Sequence, residues 1–453
     1  TILHIPSKGA ISETTSDEEP AAIDSTPMTD AAPETEEPTA PKVFVPEPET
    51  EPAATEEPSS IEDTQADNEN KADDSLLELL QPTDSIAPDS VVAGKNVTEI
   101  AVILPFMLQQ TTPDKQAQLY TEFYKGLLIA ADSLRESRHP IIIRAYDSAN
   151  NTDSVKSILA KDEISHTDLI ITPDDDEQLN LIAAHAEKTG AKVLNIFAVK
   201  GTQYLTNPTI LQANIPHSAM YEQAIDEFMK RNDDCTVVFL SSMGGKNDKV
   251  EFCDLLRRRL SDEGRKYIDV NYNVYLKAAD LSELNTDSSY VFVPSSATAS
   301  EFSHIISALK NYRESLSNYG LVRMFGYPEW ITFRGDALEN LHLMNATVYS
   351  RFFNDSDSPR SKDFANTYKR WYGTPLMSAV PVQGMLGFDT GFYIIKAINR
   401  DADNIGEPNY FYDGIQSGFH FLKTDDTAGL INDALYFINF RPSGITDKQY
   451  IQR

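Results

Sequence analysis

The sequence predicts an open α/β architecture built from two successive runs of βαβ units. Three observations carry this. Ile100, Val102, Ile103 and Leu104 form a short apolar run that ends at Pro105, the pattern of a parallel strand buried on both faces. Tyr120, Phe123, Tyr124, Leu127, Leu128, Ala131 and Leu134 then recur at helical spacing. The strand-then-helix alternation repeats along the chain, and such alternation builds parallel sheets flanked by helices. Sheets of this kind bind ligands in the loops at the carboxyl ends of their strands.

Taken in order, strands are expected at 98–104, 141–146, 168–172 and 192–197, with helices at 117–137, 152–164 and 176–189 between them. The segment Leu211–Pro216 (LQANIP) breaks the first run. The second run places helices at 217–232, 247–263 and 299–317 among strands at 235–241, 267–275, 289–293 and 321–325. Ala346–Phe353 then crosses back as an extended segment. A helix over Phe364–Tyr372 sets Phe364, Tyr368, Trp371 and Tyr372 on one side and stops at Gly373, and a second helix covers Met385–Arg400. A final β region contains Gly418–Leu422 and Leu435–Phe440.

Charge is unevenly distributed. The formal net charge is −30, and the first 100 residues hold 24 acidic residues against 4 lysines, so most of the imbalance lies there. The body is only mildly acidic, with no basic surplus to neutralise phosphates, which argues against a nucleic-acid partner. Arg257-Arg258-Arg259 is read as a solvated helix face. No stretch of 18 apolar residues is present, so nothing in the sequence spans a membrane. Cys235 and Cys253 have no metal-ligand spacing; a disulfide is geometrically open to them, but two buried free thiols are expected. Enzyme motifs are missing. The eight histidines include no HExxH, Gly244-Gly245-Lys246 lacks the phosphate-loop pattern, and Gly384–Phe388 (GMLGF) lacks GxSxG. No enzyme, cofactor or metal site is expected.

Residues 7–96 are rich in Glu, Asp, Pro, Ala, Ser and Thr and cannot bury enough apolar surface to offset the entropy of ordering. They are expected to form a disordered, extended spacer, with Ser75–Leu80 (SLLELL) as the one patch able to form a helical turn or dock. Ahead of the spacer, residues 1–6 (TILHIP) resemble the last strand of a LysM repeat through Leu3, Ile5 and Pro6. That resemblance implies peptidoglycan binding through an upstream LysM repeat, with any targeting signal also upstream of Thr1. Triplets such as Asp74-Ser75-Leu76 and Asp84-Ser85-Ile86 resemble the O-glycosylation sequons of Bacteroidetes.

From Val97 onwards the chain resembles the type I periplasmic binding proteins, in the leucine/isoleucine/valine-receptor branch. AVILPF followed by FYKGLLIAAD is similar to the family's first strand and glycine-containing helix, and IIIRAYDSANNTDSVKSIL to its second strand and loop. KVLNIFAVKGTQYLTNPTILQANIPHSAMYEQAIDEFM is similar to the fourth strand and the crossing into the second lobe, and YGTPLMSAVPVQGMLGFDTGFYIIKAI to the late helix pair with its aromatic-Asp pair at Asp389. GFHFLKTDDTAGLINDALYFINF is similar to the closing strands. The resemblance implies two lobes, each a parallel sheet flanked by helices: 97–213 with 350–413, and 214–349 with 414–453.

The ligand of such a fold sits between the lobes. Mapped by order, lobe one offers Phe106, Asp147, Ser148, Thr172, Asp175 and Phe197, and lobe two offers Ser242, Ser295, Tyr327, Trp330 and Tyr349. Tyr327, Trp330 and Tyr349 are the set able to stack on a sugar or aliphatic ligand, or else to pack a hinge. Where amino-acid receptors hold a carboxylate with hydroxyls and backbone N–H groups, this chain has Asp174, Asp175, Asp176 and Glu177, which repel an α-carboxylate and suit a helix amino terminus. The implied function is a non-catalytic, wall-tethered periplasmic protein, cell-wall or outer-membrane associated, with a receptor-like domain for a small ligand. The alternative is a docking scaffold or regulator for peptidoglycan enzymes or another envelope protein partner, with no small ligand; fold alone does not choose between them.

Overall fold

The computed structural model describes residues 2–5, 97–135, 140–400, 411–423 and 425–451. The expected spacer, its SLLELL patch and its Asp-Ser triplets lie outside the described residues.

Lobe one begins with β1 (Ile2–Ile5), β2 (Thr98–Leu104) and helix α1 (Lys115–Ser133). Then come β3 (Ile141–Asp147), the short helices α2 (Thr152–Leu159) and α3 (Asp162–Ser165), β4 (Leu169–Thr172), α4 (Asp176–Thr189), β5 (Lys192–Asn195) and β6 (Ile210–Gln212). The chain crosses to lobe two and forms α5 (His217–Arg231), β7 (Thr236–Ser242), α6 (Val250–Asp262), β8 (Tyr267–Tyr272) and β9 (Tyr290–Pro294). Next are α7 (Ala299–Glu314), β10 (Val322–Gly326), α8 (Asp336–Leu343) and β11 (Ala346–Ser350). A second crossing returns to lobe one for α9 (Pro359–Tyr372), α10 (Gln383–Arg400), β12 (Tyr412–Asp413), β13 (Gly418–Phe419), β14 (Phe421–Lys423) and β15 (Leu430–Asn432). A third crossing ends in lobe two with β16 (Leu435–Phe440) and β17 (Thr446–Ile451).

Two sheets result, ordered β1-β3-β2-β4-β5-β6-β15-β14 and β17-β16-β11-β10-β9-β7-β8. Strands β3 to β6 and β7 to β11 pair in parallel, and antiparallel strands finish each sheet. As the apolar run of β2 predicts, Ile100–Leu104 are buried on both faces. Strand β1 lies antiparallel on β3, from Ile2 opposite Arg144 to Ile5 opposite Ile141. Residues 2–5, read as the end of a LysM repeat, here edge the sheet of lobe one.

The sheet order revises one boundary. Residues 418–432 belong to lobe one, not lobe two, because β15 pairs in parallel with β6. The third crossing therefore follows Asn432, whose amide donates to Ala213 O (3.2 Å) and Gly418 O (3.0 Å) and ties it to the first crossing. Smaller differences have local causes. The expected helix at 152–164 is two short helices, and α9 starts earlier than predicted because Ser358 caps it, accepting from Ser361 N, with Pro359 at its first position. Leu211 and Gln212, read as the start of the break, belong to the paired strand β6.

Lobe one is centred on the contact of α1 with α10. Gly384, Gly387 and Gly391 share one face of α10, and their lack of side chains lets the two backbones touch. A Cβ at Gly387 would stand 1.8 Å from Phe123 O, and one at Gly126 would stand 1.9 Å from Gly384 O. Buried Glu122 of α1 fixes the start of α10, accepting from Gly384 N (3.0 Å) and Met377 N (2.6 Å). Asp389 does not cap α10, which begins six residues earlier; it accepts from Ile415, Gln416 and Ser417 N at 2.7–3.0 Å and pins the turn before β13.

Candidate functional site

The carboxyl ends of the parallel strands in both lobes carry the loops from which a ligand site is expected in open α/β sheets. In lobe one, the Asp147 carboxylate accepts from Met107 N (3.1 Å), Leu108 N (2.8 Å) and Ala149 N (2.9 Å). Met107, Ala149 and Asn150 have φ of 54°, 49° and 50°, a left-handed conformation that non-glycine residues adopt at a cost, and Asp147 is the group that holds it. Neighbouring Ser148 is fully buried, and its Oγ has no partner. Thr172 is buried and donates to Pro173 O at 3.4 Å. Asp175 caps α4 by accepting from Gln178 N at 2.8 Å, which is the helix-start reading of the acidic run. Asp174 accepts a short hydrogen bond from Tyr120, whose phenol is pushed far up by burial and then by that carboxylate. Phe106 packs edge-on against Tyr124, and Phe197 does so against Tyr120 and Phe123.

In lobe two, Ser242 donates to Asn273 O (2.8 Å) and Ser295 to Asn247 Oδ1 (2.5 Å), so both hydroxyls organise loops. The aromatic set is placed differently from its expected cleft position. Tyr327, Trp330 and Tyr349 are each 0% exposed. Tyr327 donates to Pro294 O at 2.6 Å, Trp330 Nε1 donates to Ala297 O at 3.2 Å, and Tyr349 stacks on Phe252 at 5.4 Å. They form core rather than a stacking wall, because strand alternation turns Tyr327 and Tyr349 under α5 and α6. Both cysteines are free and buried; burial pushes the Cys235 thiol up to about 12 and the Cys253 thiol up to about 11.

A group of charges that the sequence reading did not single out occupies the same edge of lobe two. Lys249, at the start of α6, is buried and pairs with Glu329 Oε1 at 2.5 Å, with Asp248 at 3.9 Å. Arg351 directly follows β11 at the second crossing. It is 4% exposed, and its Nη1 has no partner. Burial lowers its guanidinium to about 10, and it lies over the Phe352 ring at 5.2 Å. His217 opens α5. Burial lowers its pKa first, Glu329 opposes that, and Lys249 and Arg351 add to it, so these four groups share one field.

His217 also lines a cleft of about 1050 Å³ between the lobes, with Val199, Lys200 and Tyr204 from lobe one, Tyr221 from lobe two, and Asp433 at the third crossing. Asp433 accepts from or pairs with His420 Nδ1 at 2.6 Å through one oxygen, and its Oδ2 is buried without a partner. Exposed apolar residues stand on the loops after β2 and β7, with Leu108 at 73% and Met243 at 67% exposure. Among the described residues no three His, Cys, Asp or Glu side chains are grouped to hold a metal, and no helix is long and apolar enough to cross a membrane. Hydrophobic periodicity carries no signal for Arg351 or Lys249, since a single charge at a strand or helix end normally reads as solvent-facing.

No protein-family model matches the chain, and no curated protein matches it. Solved structures do. A crystal structure named for a branched-chain amino acid ABC transporter of Rhodospirillum rubrum is 13% identical, with a TM-score of 0.53 over 78% of this chain and 100% of that one. The branched-chain amino acid substrate-binding protein LivJ of Streptococcus pneumoniae, in complex with isoleucine, is 13% identical with a TM-score of 0.40 over 79% of this chain and 100% of that one. Full-length LpoA of Haemophilus influenzae is 17% identical with a TM-score of 0.48, and the match covers 78% of this chain and 59% of LpoA. At such identities a structural likeness speaks to fold alone.

Proposed function

We propose, from the type I periplasmic binding-protein fold that this chain has, that it is a non-catalytic periplasmic protein whose two lobes close on a small solute. The observation that carries this reading is the interlobe cleft of about 1050 Å³, bordered by the loop after β5 of lobe one, by α5 and α6 of lobe two and by the first and third crossings. Ligand sites in open α/β sheets occupy that position. The Rhodospirillum rubrum structure that shares the fold is named for amino-acid transport, but the acidic run after β4 is used here to cap α4, so the solute is expected to be held differently. The LysM-like start and the acidic spacer support a tether to peptidoglycan, with the domain held at the cell wall or outer membrane.

A docking scaffold for an envelope protein is the second reading. It is favoured by Leu108 and Met243, which stand exposed at 73% and 67% on the loops after β2 and β7, and by the internal use of Asp147, Asp175, Ser242 and Ser295. Thermal unfolding of the full chain against amino acids, sugars, peptides, muropeptides and divalent metals tests the two. A solute at 100-fold over its dissociation constant stabilises by about 2.7 kcal/mol. A saturable shift supports the receptor. Silence across the panel, with capture of an envelope protein that Leu108→Asp abolishes, supports the scaffold.

A further inference from the structure

A second pocket, of about 360 Å³, lies in lobe two at the amino ends of β9, β10 and β11. It shares no residue with the interlobe cleft. His217 at the start of α5 lines the cleft and Arg231 at its end lines this pocket, so about 21 Å of helix separate the two. The chain carries a net charge of −30, yet this lining is basic: Arg231, Arg323 and Arg441, with Asn345, Thr347 and Asn439. No Asp or Glu is among the described residues that line it.

Each arginine is held from outside the pocket. Arg231 donates from Nε to Glu227 at 2.6 Å and from Nη1 to Gln449 at 2.9 Å. Arg323 donates from Nη1 and Nη2 to Asp234 at 3.3 and 2.9 Å, and Arg441 from Nε and Nη2 to Asp447 at 2.7 and 3.4 Å. These carboxylates orient the guanidinium planes without entering the lining. One nitrogen of each guanidinium (Arg231 Nη2, Arg323 Nε and Arg441 Nη1) makes no bond to a described residue. Arg231 and Arg441 also act together on Asp447. Burial raises its pKa, but hydrogen bonds from Arg441 and Asn439 and the charge of both arginines outweigh that and lower it. The carboxyl end of α5 would oppose an anion, but a fourth guanidinium answers it: Arg265 donates to Met229 O at 3.1 Å and to Asn232 O.

Guanidinium donors match carboxylate and phosphate oxygens alike. The number of elements involved separates the two. The three arginines reach the pocket from α5, from β10 and from the segment after β16, so their donors come from different sides. A planar carboxylate presents two oxygens to one fork, whereas a phosphoryl group presents three strong acceptors and up to two charges. We infer that this pocket of lobe two binds a phosphoryl group, as inorganic phosphate or a phosphomonoester, at a site separate from the cleft. The inference does not rest on the receptor reading.

The test is isothermal titration calorimetry of the full chain at fixed ionic strength with inorganic phosphate, glycerol phosphate, glycerol and succinate. Wild type is compared with Arg323→Gln, Arg441→Gln and Arg257→Gln. The last removes another arginine of lobe two that is paired with carboxylates, Asp254 and Asp269, but does not line the pocket. Saturable binding of phosphate or glycerol phosphate is expected, with none of glycerol and weaker binding of succinate. Arg323→Gln and Arg441→Gln should each weaken it about 10-fold, the low end for a hydrogen bond to a charged group because both side chains are partly exposed. For the same reason their ligand-free unfolding midpoints should move little. Arg257→Gln should bind as wild type does. Sedimentation with phosphatidylcholine vesicles, with and without phosphatidic acid, distinguishes the source: association that needs phosphatidic acid and is weakened by Arg441→Gln names a lipid headgroup. Absence of binding to every phosphoryl probe overturns the inference. Equal weakening by all three variants overturns it by assigning the effect to diffuse charge, and succinate binding as tightly as phosphate overturns the phosphoryl assignment.

Discussion

The contact between α1 and α10 makes a sharp prediction for Gly387→Ala. The added Cβ would stand 1.8 Å from Phe123 O, 2.7 Å from Phe123 C and 3.1 Å from Leu127 N. These are backbone atoms of a buried helix, so no side chain can swing aside. Restoring ordinary contact requires the helices to part by about 1.5 Å, which forfeits much of the dispersion between buried faces carrying Phe123, Leu127, Phe388 and Phe392. Overpacking of this kind costs about 1–3 kcal/mol and sometimes more, and a contact this short belongs at the upper end. Alanine recovers about 1 kcal/mol of helix propensity. The net expectation is a loss of about 2–3 kcal/mol. Gly244→Ala is the control: its Cβ would meet nothing nearer than 3.8 Å, and a change within about 0.5 kcal/mol is expected. Urea unfolding of the full chain measures both, with the slope m checked for constancy. The double variant Gly126→Ala/Gly387→Ala should cost less than the sum, since parting the helices for one methyl makes room for the other. A Gly387→Ala protein within 1 kcal/mol of wild type would refute the close-contact argument.

Three further outcomes are expected. Trp330→Ala should lower stability by about 3–5 kcal/mol, since the ring is fully buried against Phe302 and Phe333; a near-neutral urea midpoint would put it back on the cleft wall. Burial pushes the Asp389 carboxyl up to about 6 despite three backbone N–H bonds that act the other way. The folded state thus keeps a proton the unfolded chain releases, and this contribution is fully present below about pH 4 and lost as pH rises through 6. The stability difference between wild type and Asp389→Asn should therefore fall by roughly 3 kcal/mol across that window, and a pH-independent difference would contradict the assignment. Finally, a thiol reagent at pH 7.5 should find neither Cys235 nor Cys253 in the native protein and both in urea; one equivalent reacting before unfolding would show that a thiol is accessible.

The layered α/β plan was legible because it depends on local pattern. Ile100–Leu104 and the apolar face of α1 declare strand and helix without reference to anything distant, and the acidic run after β4 declares a helix start at Asp175. What escaped depended on distant partners. Whether 418–432 joins the first or second sheet turns on β15 meeting β6 some 220 residues away, and an apolar strand reads the same for either sheet. The aromatic set could have been placed by strand parity, since Phe325 and Tyr327 share a face, as do Thr347 and Tyr349. Arg351 could not, because its burial and its lack of a partner depend on which distant elements pack around the second crossing.

The discontinuity of lobe one has a consequence for biosynthesis. Helix α1 rests on α10, yet Gly387 follows Phe123 by 264 positions, with most of the second lobe translated in between. At ribosomal speeds of about 5–20 residues per second, roughly 13–50 seconds pass before the partner of α1 emerges. During that interval the face of α1 that α10 covers and the outer edge of β6 lack their partners. Lobe two also waits for its last two strands, so neither half can finish ahead of the other, and the nascent chain presents a sticky surface for nearly the whole of its elongation. A holdase, or translocation of the chain before it folds, suits such a molecule better than sequential domain-by-domain folding.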